Sequence, residues 1–303
     1  KMANEVVSAS LASNGGLVAE ILAALVHEQI YDPTDLRAVC TRIPWTAGGS
    51  TTMAVTSLPA PAAYTAVTET SAAANSAYTT SEFTLTCARY ARQYEITDLV
   101  PMAGSPVDLQ VLAGNLVNGM SITISNLIAA LFTSISDSAG TTGVDLSVDD
   151  LYDAQFALND NAAQGPYSCV LAPVQMNDFR SSLRGESGAQ SFNPASVEQL
   201  ATRGPGFQGS WNGINFWQSD QVATSGGNRL GCMFADGCFA YSEAPVSLLQ
   251  GHIPADRVLL NAGELLVELI RAASLGETAA LAHYYPAVAI AENARGCEII
   301  TDA

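Results

Sequence analysis

The residues able to do chemistry are few and widely spaced. His27, His252 and His283 are the only histidines in 303 residues. None stands in an HExxH pattern, and none has a Cys or carboxylate at ligand spacing, so each reads as structural. The cysteines are Cys40, Cys87, Cys169, Cys232, Cys238 and Cys297. They include no CxxC pair and read as buried free thiols in a reducing compartment. Asp149, Asp150 and Asp153 form the densest carboxylate group. They open a predicted helix, where acidic side chains favour the dipole, and a calcium loop would need further oxygen ligands close by. No GxSxG, GxGxxG or Walker-type loop occurs. A glycosidase-type carboxylate pair could be drawn from distant parts of the chain, but nothing points to one. Trp45, Trp211 and Trp217 could stack on a sugar or another ligand; tryptophan equally anchors cores and interfaces. The expectation is a chain with no catalytic residue, metal or cofactor.

Composition narrows the class. The net charge is −17, and Lys1 is the only lysine among the 12 basic residues. With no basic stripe, the chain opposes nucleic acid rather than adhering to it. Charged residues make up 14 % of the chain, against about 25 % in ordinary soluble domains. That poverty fits a surface largely covered by other chains, or else a large core with Ser, Thr, Gln and Asn solvating the exterior. The most apolar run, Leu17 to Val26, is about half a bilayer span and contains Glu20, so no membrane segment or signal peptide is expected.

The elements that must carry these residues are legible in part. Residues 1–14 read as an extended arm, and residues 17–30 as a helix ending before Asp32-Pro33. Residues 43–98 read as a long two-stranded hairpin with an irregular tip at 58–80. Its apolar parity flips at Ala88, which predicts a bulge or a strand that changes neighbours midway. Two strands bury little, so the hairpin must lie on something, another subunit if its own domain is small. Ser105 to Ile135 reads as one long helix. Ser105 caps it, Asp108 stands where a capping box wants an acid, and Leu109, Leu112, Leu116, Met120, Ile124, Leu127 and Leu131 form its stripe. Gly114 and Gly119 inside it each cost up to ~1 kcal/mol relative to Ala, which suggests a close crossing or a bend.

Beyond it, the pattern predicts a helix at 148–158 capped by Ser147 with Leu151, Phe156 and Leu158 inward. A strand follows at 165–172 and a helix at 173–183. A short helix from Asn193 to Thr202 would have Asn193 as cap and Pro194 first. Asn212-Gly213 predicts a tight turn into a strand at 214–218, and further strands fall at 229–235 and 237–243. Residues 257–274 are ambiguous between helix and strand, 278–285 could pair with them, and 285–291 and 297–301 read as final strands. The class is α+β, without regular βαβ alternation.

This order of elements resembles the major capsid protein of tailed bacteriophages, the Hong Kong 97-type fold. FTLTCARYARQYEITDLVPM leading into SPVDLQVLAGNLVNGM looks like that family's second hairpin strand running into its spine helix. SVDDLYDAQFALNDNAAQGPYSCVLAPVQMNDFRSSLRG looks like the helix, strand and short helix that open its central domain. GFQGSWNGINFWQSDQV resembles a further segment of that domain. The resemblance covers nearly the whole chain, each motif being degenerate.

It implies a Hong Kong 97-like capsid fold with N-arm, extended loop, spine helix and mixed axial domain. The corresponding segments are an N-terminal arm and helix (1–42), an extended-loop hairpin (43–98), a peripheral domain with the spine helix (99–142 and 256–290) and an axial domain (143–255 and 291–303). It implies a non-enzymatic structural protein that self-assembles into hexamers and pentamers of an icosahedral virion shell. The shell would be built in the host bacterial cytoplasm and enclose DNA without sequence-specific binding. The implied partners are portal, scaffolding and cement proteins, with no membrane. Some family members cross-link subunits from a lysine in the hairpin, but residues 43–98 contain no lysine, so the lattice is expected to be non-covalent. About 14 residues precede the first helix, which suggests either separate scaffolding or a processed chain. Arg89 and Arg92 suit bidentate contacts to a neighbouring subunit's carboxylates, although they could simply be solvated. Two other readings stay open: an encapsulin-type compartment of the same fold, and a glycan-binding or carbohydrate-active α+β protein using Trp45, Trp211 or Trp217.

Overall fold

The structure, a computed structural model, describes residues 34–46, 50–57, 66, 80–97, 109–185, 192–245, 258–262, 265–272 and 276–302. The expected N-terminal arm and first helix, the hairpin tip, Ser105, Asp108, His27 and His252 lie outside them.

One helix organises what surrounds it. Helix α1 runs Leu109–Leu131, 23 residues, or about 34 Å at 1.5 Å per residue. It passes into a 3-10 turn, Phe132–Ser134. Its buried stripe is Leu116, Ile124, Ile128, Ala129 and Phe132, while Met120 and Leu131 pack at its margin. The inward set at the C-terminal end is thus shifted by one position from the predicted Leu127 and Leu131. Asn115–Ser134 has the length and composition of a membrane span; here its stripe is taken up by protein core.

That core lies against one face of an eight-stranded sheet. Its strands are β5 (Ser138–Gly140), β6 (Tyr167–Leu171), β7 (Asn193–Pro194), β8 (Phe207–Trp211), β9 (Ile214–Gln218), β10 (Thr224–Ser225), β11 (Asn228–Ala235) and β17 (Gly296–Asp302). The order is β5-β17-β11-β6-β9-β8-β7, with β10 pairing β11 at its end. β6 pairs β9 in parallel and β17 pairs β5 in parallel; the other pairings are antiparallel. Val170, Phe207, Trp217, Cys232 and Phe234 face α1. Cys169, Leu171, Ile214, Phe216, Met233 and Ile299 face the other way, as strand alternation requires. Helices α2 (Val148–Asp160) and α3 (Pro173–Gly185) cover that second face through Leu151, Ala154, Leu158, Met176 and Phe179.

Two local expectations are corrected. Phe156 does not turn inward: it is 71 % exposed, because Leu151, Ala154 and Leu158 already fill the buried face of α2. The short helix, α4, runs Val197–Arg203, and its cap is Ser196 in a capping box with Gln199. Asn193-Pro194 instead forms the edge strand β7, paired with Ser210 and Gly209, a position where a missing N–H costs no ladder bond. Gly209 has φ +137, and a Cβ there would lie 2.2 Å from the Asn193 carbonyl oxygen, so only glycine permits this approach. The Ser147 cap of α2 is present, as a capping box with Asp150.

Among the described residues, three smaller sheets accompany the eight-stranded one. β2 (Thr52–Ser57) and β3 (Ser81–Thr86) form the base of the hairpin, in register from Thr52↔Thr86 to Ser57↔Ser81. The parity flip at Ala88 is a change of neighbours. Before it, β3 pairs β2; after it, β4 (Tyr90–Thr97) pairs β15 (Glu277–Tyr284). β13 (Val258–Ala262), β14 (Leu265–Ala272) and β15 form an antiparallel meander with β4 at its edge, so the ambiguous stretch is strand. The third sheet is β1 (Thr41–Arg42), β12 (Phe239–Glu243) and β16 (Pro286–Ile290). The hairpin base rests on β16 of its own chain, where Met53, Leu85 and Ala287 form a separate small core.

Candidate functional site

The densest polar chemistry lies where the short 3-10 turn Leu36–Val39, α1, β12 and β15 converge. The Asp35 side chain caps the turn by accepting from the Arg37 backbone N–H. The same carboxylate takes the Arg37 side chain through both oxygens. Arg37 also reaches Glu243 at 2.9 Å and Ser121 of α1 at 3.2 Å. Glu243 is buried, accepts from the Tyr284 hydroxyl and has Arg42 at 3.7 Å. Burial opposes the Arg37 charge, but Asp35 and Glu243 outweigh it and raise its pKa above the ordinary arginine value. Burial and the Glu243 hydrogen bond raise Tyr284 in turn, so its hydroxyl stays protonated and donates. Next to this hub, buried Ser125 accepts from the Leu36 N–H at 3.1 Å and donates to the Thr34 carbonyl at 3.2 Å. These contacts fasten the segment after residue 33 to the long helix.

A second constellation joins β4 to the meander. Arg89 donates to Nδ1 of buried His283 at 3.2 and 3.1 Å. Arginine only donates, so Nδ1 accepts and the ring proton sits on Nε2, 3.3 Å from buried Glu268. Arg89 and Arg92 are both exposed. Arg92 lies 5.2 Å over the Tyr94 ring and lines a groove of about 260 Å³ with Tyr90, Leu116, Gly119, Met120 and Tyr284. Neither arginine is idle within its own chain, and both present a face to solvent.

The other singled-out residues separate. Trp45 is half-buried against the Met53, Leu85 and Ala287 core. Trp211 and Trp217 are core residues, 2 % and 7 % exposed. The ring of Trp211 packs edge-on to Phe179 and Tyr152, and that of Trp217 against Phe207, so neither offers a stacking face to a sugar. Asp150 is spent on its capping box, while Asp149 and Asp153 point to solvent. Gly114 lies within α1. At Gly119 the expected close crossing is not present: among the described residues, nothing lies within 4 Å of where a Cβ would stand. Its carbonyl accepts the Thr123 hydroxyl at 2.7 Å, a back-bond of the kind that bends helices.

Burial raises the pKa of every described thiol that titrates, with Cys238 and Cys297 pushed up to about 12, and all six are free. Among the described residues, the one acidic group gathered closely enough to face a cation is Asp145, Asp178 and Asp302, with oxygens within 4.8 Å of one another. Burial, then Asp145 and Asp302, raise Asp178, with Asn177 offsetting in part. Sequence spacing could not show this cluster, because its members come from three distant segments. The Arg37 hub was missed for the same reason; its one sequence signal was an arginine two residues after Asp35 in a chain poor in bases.

No protein-family model matches the chain, and no curated protein does. Solved structures do. The capsid structure of the cyanophage P-SCSP1u aligns at a TM-score of 0.62 with 12 % identity, over 91 % of this chain and 90 % of that one. The capsid of a native GTA particle aligns at 0.59 with 12 % identity, over 96 % and 98 %. This chain has the fold of phage capsid chains. The same capsid fold recurs in the holo-SrpI encapsulin complex from Synechococcus elongatus PCC 7942, at 0.56 and 12 % identity, over 93 % and 94 %. Within this capsid fold, the Arg37 hub ties the 3-10 turn and β12 to the long helix, and the Arg89–His283 pair ties the segment before β4 to the meander.

Proposed function

We propose that this protein is a major capsid subunit of Hong Kong 97 type, a structural, non-enzymatic chain that self-assembles into hexamers and pentamers of an icosahedral shell around phage DNA. The observation that carries this reading is the end-to-end fold likeness to capsid chains, since 90 % or more of both partners is covered. The elements support the implied parts. α1 is the spine helix; β2 and β3 are the base of the extended loop; the four-stranded sheet and spine make the peripheral domain; the eight-stranded sheet with α2 and α3 makes the axial domain. An acidic wall, −17 per chain, contains DNA without adhering to it. The lattice is held non-covalently, and Arg89, Arg92 and Trp45, near the hairpin base, meet a neighbouring subunit. Gly114 and Gly119 let the long helix flex. Portal, scaffolding and cement proteins are the further partners, in a virion assembled in the host bacterial cytoplasm.

The encapsulin neighbour favours a second reading, a compartment filled with protein. Contents separate the two. Particles isolated from the native source and treated with nuclease should retain protected double-stranded DNA. A shell holding a stoichiometric protein cargo and no nucleic acid would replace the capsid reading with the encapsulin one.

A further inference from the structure

Two helices turn large apolar side chains toward solvent. The outward stripe of α2 is Asp149, Tyr152, Asp153, Phe156 and Asp160. Phe156 is 71 % and Tyr152 41 % exposed, and the helix contains no basic residue. Helix α4 has no buried residue at all. Val197 and Leu200 are 85 % and 36 % exposed, and the stripe ends in exposed Arg203. The guanidinium of Arg203 sits 4.7 Å over Phe207 and bonds Asn215 at 2.7 Å. Beside Arg203 opens a cleft of about 440 Å³ lined also by Val39, Thr202 and Trp217. Solvent-facing apolar residues grouped on a helix, rather than scattered singly, mark a contact surface.

The two stripes lie on opposite sides of the eight-stranded sheet. α2 buries Leu151, Ala154 and Leu158 with Trp211 and Phe216, whereas the Phe207 beneath Arg203 belongs with Trp217 to the core on the other face. An aromatic pair framed by carboxylates would meet an apolar stripe that ends in an arginine and a cleft. Pairing α2 with α2 would instead set Asp149, Asp153 and Asp160 against their own copies, a like-charge contact that costs affinity.

Resting on the reading of the chain as a shell subunit, we propose that α2 of one copy docks on α4 of the next, Tyr152 and Phe156 against Val197 and Leu200, with Arg203 facing the α2 carboxylates. The occupant of each patch is therefore a second copy of this chain. Because the two patches differ, the contact is heterologous. Repeated head to tail it closes into a ring where the rotation permits.

Thiol cross-linking on assembled particles tests the pairing. Shells would be built from Phe156→Cys protein, from Val197→Cys protein, from a one-to-one mixture, and from the double variant, with wild type as the control for native thiols. A short bismaleimide should give no new product from either single variant, dimers and nothing larger from the mixture, and a ladder ending at the ring from the double variant. Dimers from Phe156→Cys alone, or intact shells without a product from the mixture, would overturn the pairing while leaving the shell reading in place. Wild-type protein that forms no shells would overturn both. Phe156→Asp gives a second readout: its thermal midpoint should match wild type and its shell yield should fall at least tenfold, whereas normal assembly would contradict the proposal.

Discussion

Arg37 and Glu243 stand 206 positions apart in the chain and meet at 2.9 Å. Their pair ties the first described turn to the end of β12, and Tyr284 draws β15 into the same knot. Glu243 is 4 % exposed at its side chain and Arg37 20 %, so removing Arg37 leaves buried Glu243 with the Tyr284 hydroxyl and only the more distant Arg42 to offset its charge. Breaking such a pair costs about 3–5 kcal/mol, because a buried charge is left uncompensated. Arg37→Met should therefore cost about 3 kcal/mol in denaturant unfolding. Adding Glu243→Gln to Arg37→Met should recover part of that loss; additive losses would show that the two act independently.

Asp178 sets a pH dependence. Its folded-state pKa is raised above 3.8 by burial and by Asp145 and Asp302. A raised acid binds its proton more readily when folded, so its contribution to stability falls as pH rises through the window just above the ordinary carboxylate value. Asp178→Asn should raise stability at neutral pH by on the order of 0.5 kcal/mol, discounted for solvent screening. The advantage should vanish by about pH 3, below both values. A variant less stable than wild type at neutral pH would contradict the cause assigned here.

Gly140 has φ +85, and a Cβ there would stand 2.3 Å from the Ile300 carbonyl oxygen across the β5–β17 pair. Gly143 has φ +73 with nothing within 4 Å of its Cβ position among the described residues. Gly143→Ala should cost roughly 1 kcal/mol from backbone conformation alone. Gly140→Ala should cost about 2 kcal/mol or more, since conformation and collision add. Chemical denaturation of both variants compares them; equal losses would mean that the carbonyl can yield.

Arg89 and Arg92 differ in what they do within the chain, and that separates folding from assembly. Arg89→Ala removes the donor on His283 and should lower both the thermal midpoint of the subunit and the shell yield. Arg92→Ala leaves the Tyr94 face bare, which is worth about 0.5–1 kcal/mol at an exposed site. It should lower shell yield more than thermal stability. Unchanged yield for both would end the assignment of either residue to a neighbouring carboxylate.

How much was legible follows from whether the signal is local. The long helix, described from Leu109, the Ser147 cap and the strand after Asn212-Gly213 have signals written within a few residues. The flip at Ala88 was visible, but only β15, almost 200 residues later, makes it a change of partner. Asn193-Pro194 carried a strong helix-start pattern and lost to an edge pairing with Gly209 and Ser210. Phe156 misled because hydrophobicity alone does not say which side of a helix the sheet lies on. Arg37, Asp178 and Glu243 have no local signal; their meaning is made by the segments that fold against them.

The central claim is that this chain closes into shells. Sedimentation of the purified wild-type protein under assembly conditions, with negative-stain images of the same sample, measures this directly. The account predicts fast-sedimenting closed particles of uniform diameter, built from 31.5 kDa subunits. A persistent single-subunit species or small oligomer, with no shells in the images, would contradict it.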